Sequence, residues 1–190
     1  WIKVNTFRAQ YGRFFYSRCE KSDFALLELE DLIDDDSFTS YICLAHRHII
    51  RQHEIARLIG YGWGADPSQQ LDLMNNLQVI NYTNLSVQER CVEAWRQIPE
   101  DALCTMENQA SSTCWGDSGG GLAAQGKNGQ WTLLGILSFG SDCKTLLRGR
   151  PVQAQFYTDI SDYIADIDSF TAYKDAIKRN HFQVLLPMHA

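Results

Sequence analysis

The segment Cys114-Trp115-Gly116-Asp117-Ser118-Gly119-Gly120-Gly121-Leu122 sets a hydroxyl among four glycines, with an acid directly before it and a cysteine four residues upstream. Glycine reaches backbone conformations closed to other residues and leaves a bare N–H free to face a ligand. A serine becomes a competent nucleophile when a base takes its proton and N–H donors receive the developing oxyanion. This segment supplies the hydroxyl and the donors. The base must come from elsewhere. Taken alone, the same string also reads as a tight glycine turn on a loop.

A reactive turn needs a rigid frame. The chain's 190 residues suffice for one good-sized domain or two small barrels packed together. With 45% hydrophobic and 21% charged residues, the composition is that of an ordinary globular protein. Short β-type segments divided by turn signals dominate the first 158 residues. They are Phe24 to Leu29, Leu58 to Tyr61 before Gly62-Trp63-Gly64, Leu77 to Tyr82, and Trp131 to Phe139. Beyond them Ile160, Tyr163, Ile164, Ile167, Phe170, Tyr173 and Ile177 recur at three- and four-residue steps, which predicts an amphipathic helix capped by Asp159 or Ser161. The expected fold is all-β, a barrel or sandwich, with a C-terminal helix.

Charge and cysteines narrow the setting. A net charge of −6 argues against nucleic acid and anionic membranes as partners. No apolar run approaches the roughly 20 residues that span a bilayer. The six cysteines form no paired CxxC motifs, which counts against zinc. Two sequons, at Asn81 and Asn84, join them in favouring an oxidising, secreted environment. A metal site from His46, His48 and His53 competes with a solvated basic crossing segment, and the second is the expectation. No metal or cofactor is expected.

Gly116-Asp117-Ser118-Gly119-Gly120 resembles the nucleophile motif of the chymotrypsin/trypsin-like serine proteases. Further segments resemble that family in its own order. Ser22 to Leu29 is similar to the segment carrying the triad aspartate, and Tyr41-Ile42-Cys43-Leu44 to the approach to the interdomain crossing. Gly62-Trp63-Gly64 matches a family turn, Ser138-Phe139-Gly140 stands where Ser-Trp-Gly is usual, and Phe156-Tyr157-Thr158 resembles the last strand. The acidic, leucine-rich aspartate segment is most similar to divergent nematode-type members. The resemblance implies a chymotrypsin-like double β-barrel, seen here as the second barrel with part of the first. Residues 1–45 would end the first barrel and begin the crossing, 46–158 form the second barrel, 159–180 the helix and 181–190 a tail.

It also implies roles. Ser118 is the nucleophile, the amides of Gly116 and Ser118 the oxyanion hole, and Asp23 the residue that orients the catalytic histidine. In the family, the acid at Asp117 pairs with a newly freed N-terminal amine. Ser112, Thr113, Trp115, Ser138, Phe139 and Gly140 would line the substrate pocket. The neutral Ser112 at its base favours apolar or aromatic side chains over Arg or Lys. Expected disulfides are Cys91–Cys104 and Cys114–Cys143. Cys19 and Cys43 pair with each other or with cysteines outside the chain.

The sequence departs from the pattern in several places. Gly121 replaces a usual proline, Phe139 a tryptophan, and Gln155 a small pocket-wall glycine; the stretch from Cys143 to Tyr157 is long and carries Lys144, Arg148 and Arg150. Gln155 is expected to narrow or block the pocket. The family's histidine precedes the aspartate, yet only 22 residues precede Asp23 and none is His. His181 and His189 sit in the polar tail. A chain opening at Trp1 without a leader is expected of a cut through a longer protein. Three readings follow: the C-terminal part of a secreted serine endopeptidase acting on protein or peptide, with its first barrel missing; a catalytically inactive homologue serving as an extracellular binding or regulatory module; and an unrelated β-domain.

Overall fold

The computed structural model describes residues 5–12, 21–33, 39–45, 55–66, 76–83, 85, 91, 95, 98–108, 111–142, 145–146, 148–149, 151 and 153–171. Nine strands occupy them: β1 (Thr6–Tyr11), β2 (Ala25–Leu29), β3 (Cys43–Leu44), β4 (Ile55–Gly62), β5 (Gln78–Tyr82), β6 (Ala102–Met106), β7 (Gly121–Gly126), β8 (Trp131–Phe139) and β9 (Ala154–Asp159). A 3₁₀ turn (Ile160–Tyr163) then leads into the helix α1 (Ile164–Thr171). Asp159 caps that turn, accepting from the Ser161 amide at 2.8 Å. Tyr173 and Ile177 lie outside the described residues.

Strands β1 and β2 pair antiparallel as a separate two-stranded sheet, with Ala9 opposite Leu27. The remaining seven form one sheet in the order β5-β4-β7-β8-β9-β6, with the short β3 running parallel to β8. That sheet is curled. Tyr82 on β5 and Tyr157 on β9 stand four strand positions apart along it, yet their hydroxyls are 2.9 Å from each other. In a flat sheet the two strands would be separated by roughly 19 Å. The fold is the chymotrypsin-like all-β arrangement.

β8 is apolar on both faces because both are covered. Leu134 and Leu137 join Leu58, Leu122, Ala124 and Tyr157 inside the curl. Leu133 and Ile136 pack outward with Ile160, Ile164 and Ile167 of the C-terminal turn and helix and with Leu26 of β2. Gly135 lets β9 approach, since a Cβ there would lie 2.8 Å from the Tyr157 Cβ and 3.0 Å from the Thr158 carbonyl oxygen. Strands β1 and β2 are fastened to the far end of α1 through Arg8. Its guanidinium pairs with Glu28 at 2.7 Å, donates to the Phe170 carbonyl at 2.6 Å and stacks 4.2 Å above the Phe170 ring.

Candidate active site

The turn between Cys114 and Gly121 is built on glycine conformations. Gly116 and Gly119 have φ of +93° and +85°, a region that costs residues with a side chain about 1–2 kcal/mol. Within the turn the Asp117 amide donates to the Cys114 carbonyl at 3.1 Å and the Gly120 amide to the Asp117 carbonyl at 2.8 Å. Two further bonds fix it to β8: Gly119 N–H to the Leu137 carbonyl at 2.9 Å, and Leu137 N–H to the Gly120 carbonyl at 2.8 Å. Ser118 is exposed at the apex. The amides of Gly116 and Ser118 have no acceptor among the described residues.

The Asp117 side chain turns back into the protein. Its Oδ1 accepts from the Gly64 amide at 2.7 Å and its Oδ2 from the Cys114 amide at 2.9 Å. Gly62 and Gly64 are required here: a Cβ on either would fall 2.1 or 2.4 Å from the carboxyl group. Burial raises the carboxyl pKa, and the two amide bonds only partly oppose that rise. No cation pairs with Asp117 among the described residues. Gly121 faces Tyr61, whose hydroxyl lies 2.3 Å from where a Cβ would be. The tyrosine thus takes the room that a proline ring would need, which is the physical reason for that departure.

Asp23 reaches the same end of β8. Its Oδ2 accepts from the Ser138 hydroxyl at 2.5 Å, and its carbonyl accepts from the Thr158 hydroxyl at 3.1 Å. Leu137 holds the nucleophile turn through its main chain, and the next residue, Ser138, holds the carboxylate through its side chain. Two segments far apart in sequence are therefore registered on neighbouring residues of one strand. A cleft lined by Lys21, Asp23, Ser138, Phe139 and Thr158 opens beside the carboxylate.

The other expected pocket residues divide. Ser112 is buried, and its hydroxyl is engaged by the Asn108 backbone, donating to the carbonyl at 2.6 Å and accepting from the amide at 2.8 Å. Thr113 beside it is half-buried, and Trp115 is exposed with its carbonyl accepting from Ala65 at 2.8 Å. Phe139 stacks on Phe156 with centroids 4.6 Å apart, and Trp95 meets it edge-on at 5.6 Å. Gly140 lies directly over Gln155 and Glu107, since a Cβ there would be 3.2 Å from Gln155 Cγ and 3.0 Å from Glu107 Oε1. Glu107 is buried and accepts from the amides of Ser141 at 2.6 Å and Gln153 at 2.9 Å, bracing two loops at once. Gln155 is 1% exposed; its Oε1 accepts from the Tyr82 hydroxyl at 2.8 Å and its Nε2 has no partner among the described residues.

Sequence reasoning did not find Tyr61, Glu107, or the contacts of Asp101 and Tyr163 around Asp23, because their partners lie far off in the chain. For Tyr163 a signal existed: it belongs to the helical apolar stripe, but its hydroxyl was given no role. Cys91 and Cys104 form a disulfide with Cα atoms 6.4 Å apart. Cys114 is disulfide-bonded, its partner lying outside the described residues, as Cys143 does. One expectation is corrected. Cys43 carries a free, half-buried thiol that accepts from Gln130 Nε2 at 3.0 Å, so the Cys19–Cys43 pairing is not made. Asn81 is exposed on β5, a strand at the end of the sheet order, and its side-chain oxygen accepts from Arg57 at 3.4 Å. Asn84, Cys19, Lys144, Arg150 and all five histidines lie outside the described residues. Among the described residues no cluster of ligating side chains could hold a metal, and no helix is long and apolar enough to cross a membrane.

A glycine turn thus presents a serine with two amides open among the described residues, and the strand residue next to the one that holds this turn binds the Asp23 carboxylate. The family model described as Trypsin matches residues 6–167. This chain belongs to the trypsin family of serine proteases. It is 33% identical over 174 residues to the trypsin-like protease try-5 of Caenorhabditis elegans, covering 89% of this chain and 52% of that protein. Bovine chymotrypsin-C is 27% identical over 150 residues, covering 76% of this chain and 53% of the relative. Human mannan-binding lectin serine protease 1 is 28% identical over 145 residues, covering 75% and 20%. The chain thus spans about half the length, or less, of these relatives.

Proposed function

We propose that this chain is the C-terminal part of a secreted serine endopeptidase that cleaves peptide bonds through an acyl-enzyme on Ser118. The Ser118 hydroxyl attacks the scissile carbonyl while an imidazole takes its proton. That imidazole comes from a histidine in the first barrel, upstream of this chain. The amides of Gly116 and Ser118 receive the oxyanion, and one such donor is typically worth about 3–4 kcal/mol in the transition state. The imidazolium then protonates the leaving amine, and water repeats the sequence to free the acid. Asp23 orients the imidazole and stabilises its charged form without taking the proton. The observation that carries this reading is the registry on β8, where Leu137 holds the turn and Ser138 holds the Asp23 carboxylate.

Asp117 fits the family's activation switch. A half-buried carboxylate with a raised pKa and no cation beside it among the described residues is suited to receive a freed N-terminal amine. The primary pocket takes apolar or aromatic side chains. Ser112 brings no charge to it, its hydroxyl is already engaged by Asn108, and Gln155 fills the space beneath Gly140. Asn81, exposed on its strand, is available for a glycan, and the free Cys43 thiol is available to a cysteine outside this chain.

A fluorophosphonate probe tests the reading on the full-length, processed protein. Labelling that maps to Ser118 is expected. A folded, processed sample that stays unlabelled would overturn the enzyme reading and leave a fold kept for binding.

A further inference from the structure

Asp23 is held by more than Ser138. The residue before it, Ser22, adopts a φ of +67°, the positive-φ conformation found at no other non-glycine residue among those described. Its amide donates to Asp101 Oδ2 at 2.8 Å. The Tyr163 hydroxyl also donates to Asp101 Oδ2. Having spent its one proton there, it accepts from the Ser22 hydroxyl at 2.8 Å. Ser22, Tyr163 and Asp101 thus close a ring of three hydrogen bonds, with Asp101 only 6% exposed and itself tied to β9 through the Asp159 amide at 2.7 Å.

The residue after Asp23 is held by the same tyrosine. The Phe24 ring lies 4.4 Å from the Tyr163 ring, centroid to centroid. The Phe24 amide donates back to the Ser22 carbonyl at 3.0 Å, closing a three-residue turn with Asp23 at its centre. The Phe24 carbonyl accepts from Gly12 at 2.8 Å, and Gly12 is pressed so close that a Cβ would lie 1.9 Å from the Ser22 carbonyl oxygen.

We propose that Tyr163 and Asp101 are positioning residues for Asp23. They clamp both of its backbone neighbours and so aim its carboxylate at the place where the imidazole must sit. Tyr163 closes the 3₁₀ turn that precedes the C-terminal helix, so the docking of that turn, rather than of the helix's far end, sets the direction of the carboxylate. The kinetic consequence rests on the protease reading of Asp23 given above; the structural claim does not.

The test is Tyr163→Phe in the full-length, activated protein, which keeps the ring against Phe24 and removes only the hydroxyl. Loss of about one aligned hydrogen bond's worth of positioning predicts a five- to tenfold fall in kcat with KM unchanged. A carboxylate aimed wrongly stabilises the imidazolium less, so the acid limb of kcat/KM should move to lower pH. Asp101→Asn should act in the same direction. Arg8→Ala is the control: it loosens the far end of the helix and lowers thermal stability, but should leave kcat and the pH limb alone. Hydrogen exchange supplies a readout independent of turnover, with the Ser22 and Phe24 amides exchanging faster in Tyr163→Phe while β8 amides hold. Wild-type exchange at Ser22 and Phe24 in that variant overturns the clamp, whether or not the protein turns over. Changed exchange with wild-type kcat and pH limb in an active enzyme overturns the positioning role. A wild-type protein with no turnover and an unlabelled Ser118 removes the protease reading, and the exchange result still decides the clamp.

Discussion

Gly121 offers a sharp quantitative test of how the nucleophile turn is packed. A Cβ on Gly121 would lie 2.3 Å from the Tyr61 hydroxyl oxygen, 2.7 Å from Tyr61 Cζ and 3.1 Å from a Leu133 methyl. The backbone itself would accept alanine, since Gly121 is not in the positive-φ region. Most of the cost therefore lies in the tyrosine, which must leave a half-buried site, with a smaller shift asked of the Leu133 methyl. Overpacking of this kind costs about 1–3 kcal/mol, so Gly121→Ala should destabilise the full-length protein by about 2 kcal/mol. In a Tyr61→Val background the main obstruction is gone, and only the Leu133 methyl at 3.1 Å has to give slightly. There the same change should be neutral or stabilising by about 0.4–1 kcal/mol, through the lost flexibility of the unfolded chain. The coupling between the two positions is then about 2–3 kcal/mol, readable by urea unfolding of wild type, both single variants and the double. Additive single effects would refute the reasoning, because they would mean that Tyr61 does not occupy the space beside Gly121.

Other outcomes follow from the same geometry. Ser118→Ala should abolish turnover of the full-length enzyme with no loss of thermal stability, since the side chain is exposed and makes no hydrogen bond among the described residues; retained turnover would reject the nucleophile. Peptide substrates with Phe, Leu or Arg before the scissile bond should be ranked with Phe and Leu ahead, and a clear preference for Arg would reject the apolar pocket. Gln155→Gly should deepen that pocket and raise kcat/KM for the Phe substrate relative to Leu; an unchanged ratio would place Gln155 outside it. For Asp117 the sign of the pH effect can be worked out. Burial raises its folded pKa, so the native state binds the proton more tightly than the unfolded chain, and stability falls as pH rises between the two values. Unfolding midpoints of the uncleaved precursor between pH 3.5 and 6 should therefore decline more steeply in wild type than in Asp117→Asn. A steeper decline in the variant would contradict the assignment.

Much of the fold shows in the sequence because burial and strand periodicity coincide. β8 is covered on both faces and reads as a long apolar run; β2, β4 and β5 carry enough β-branched, aromatic and leucine residues to stand out between turns. β7 does not. Its sequence Gly-Leu-Ala-Ala-Gln-Gly lacks strand formers, yet it lies between β4 and β8 with Leu122, Ala123 and Ala124 almost wholly buried. Small residues serve there because neighbouring strands and the turn crowd the backbone, a tertiary demand that no local pattern announces. β1 does alternate polar and apolar residues from Thr6 to Tyr11, a strand signal that the segments chosen from the sequence left aside, whereas the Ala-Leu-Cys-Thr-Met of β6 carries no alternation. The helix begins as a 3₁₀ turn, which the three-residue spacing of Ile160 and Tyr163 admits as readily as an α-turn.

The site divides along the same line. Ser118 with its glycines is a local string, so its chemistry is visible in nine residues. Asp23 acquires meaning only from Ser138, Thr158, Asp101 and Tyr163, whose positions relative to it are set by the curl of the sheet and the return of the C-terminal turn. β8 is what joins the two halves. A register slip of one residue would exchange Leu137 and Ser138, sending the serine hydroxyl into the barrel and leaving the Asp23 carboxylate without its donor. The packing that buries Leu133 on one face and Leu134 on the other forbids that slip. The precision of the polar site is thus inherited from apolar burial three to five residues away on the same strand.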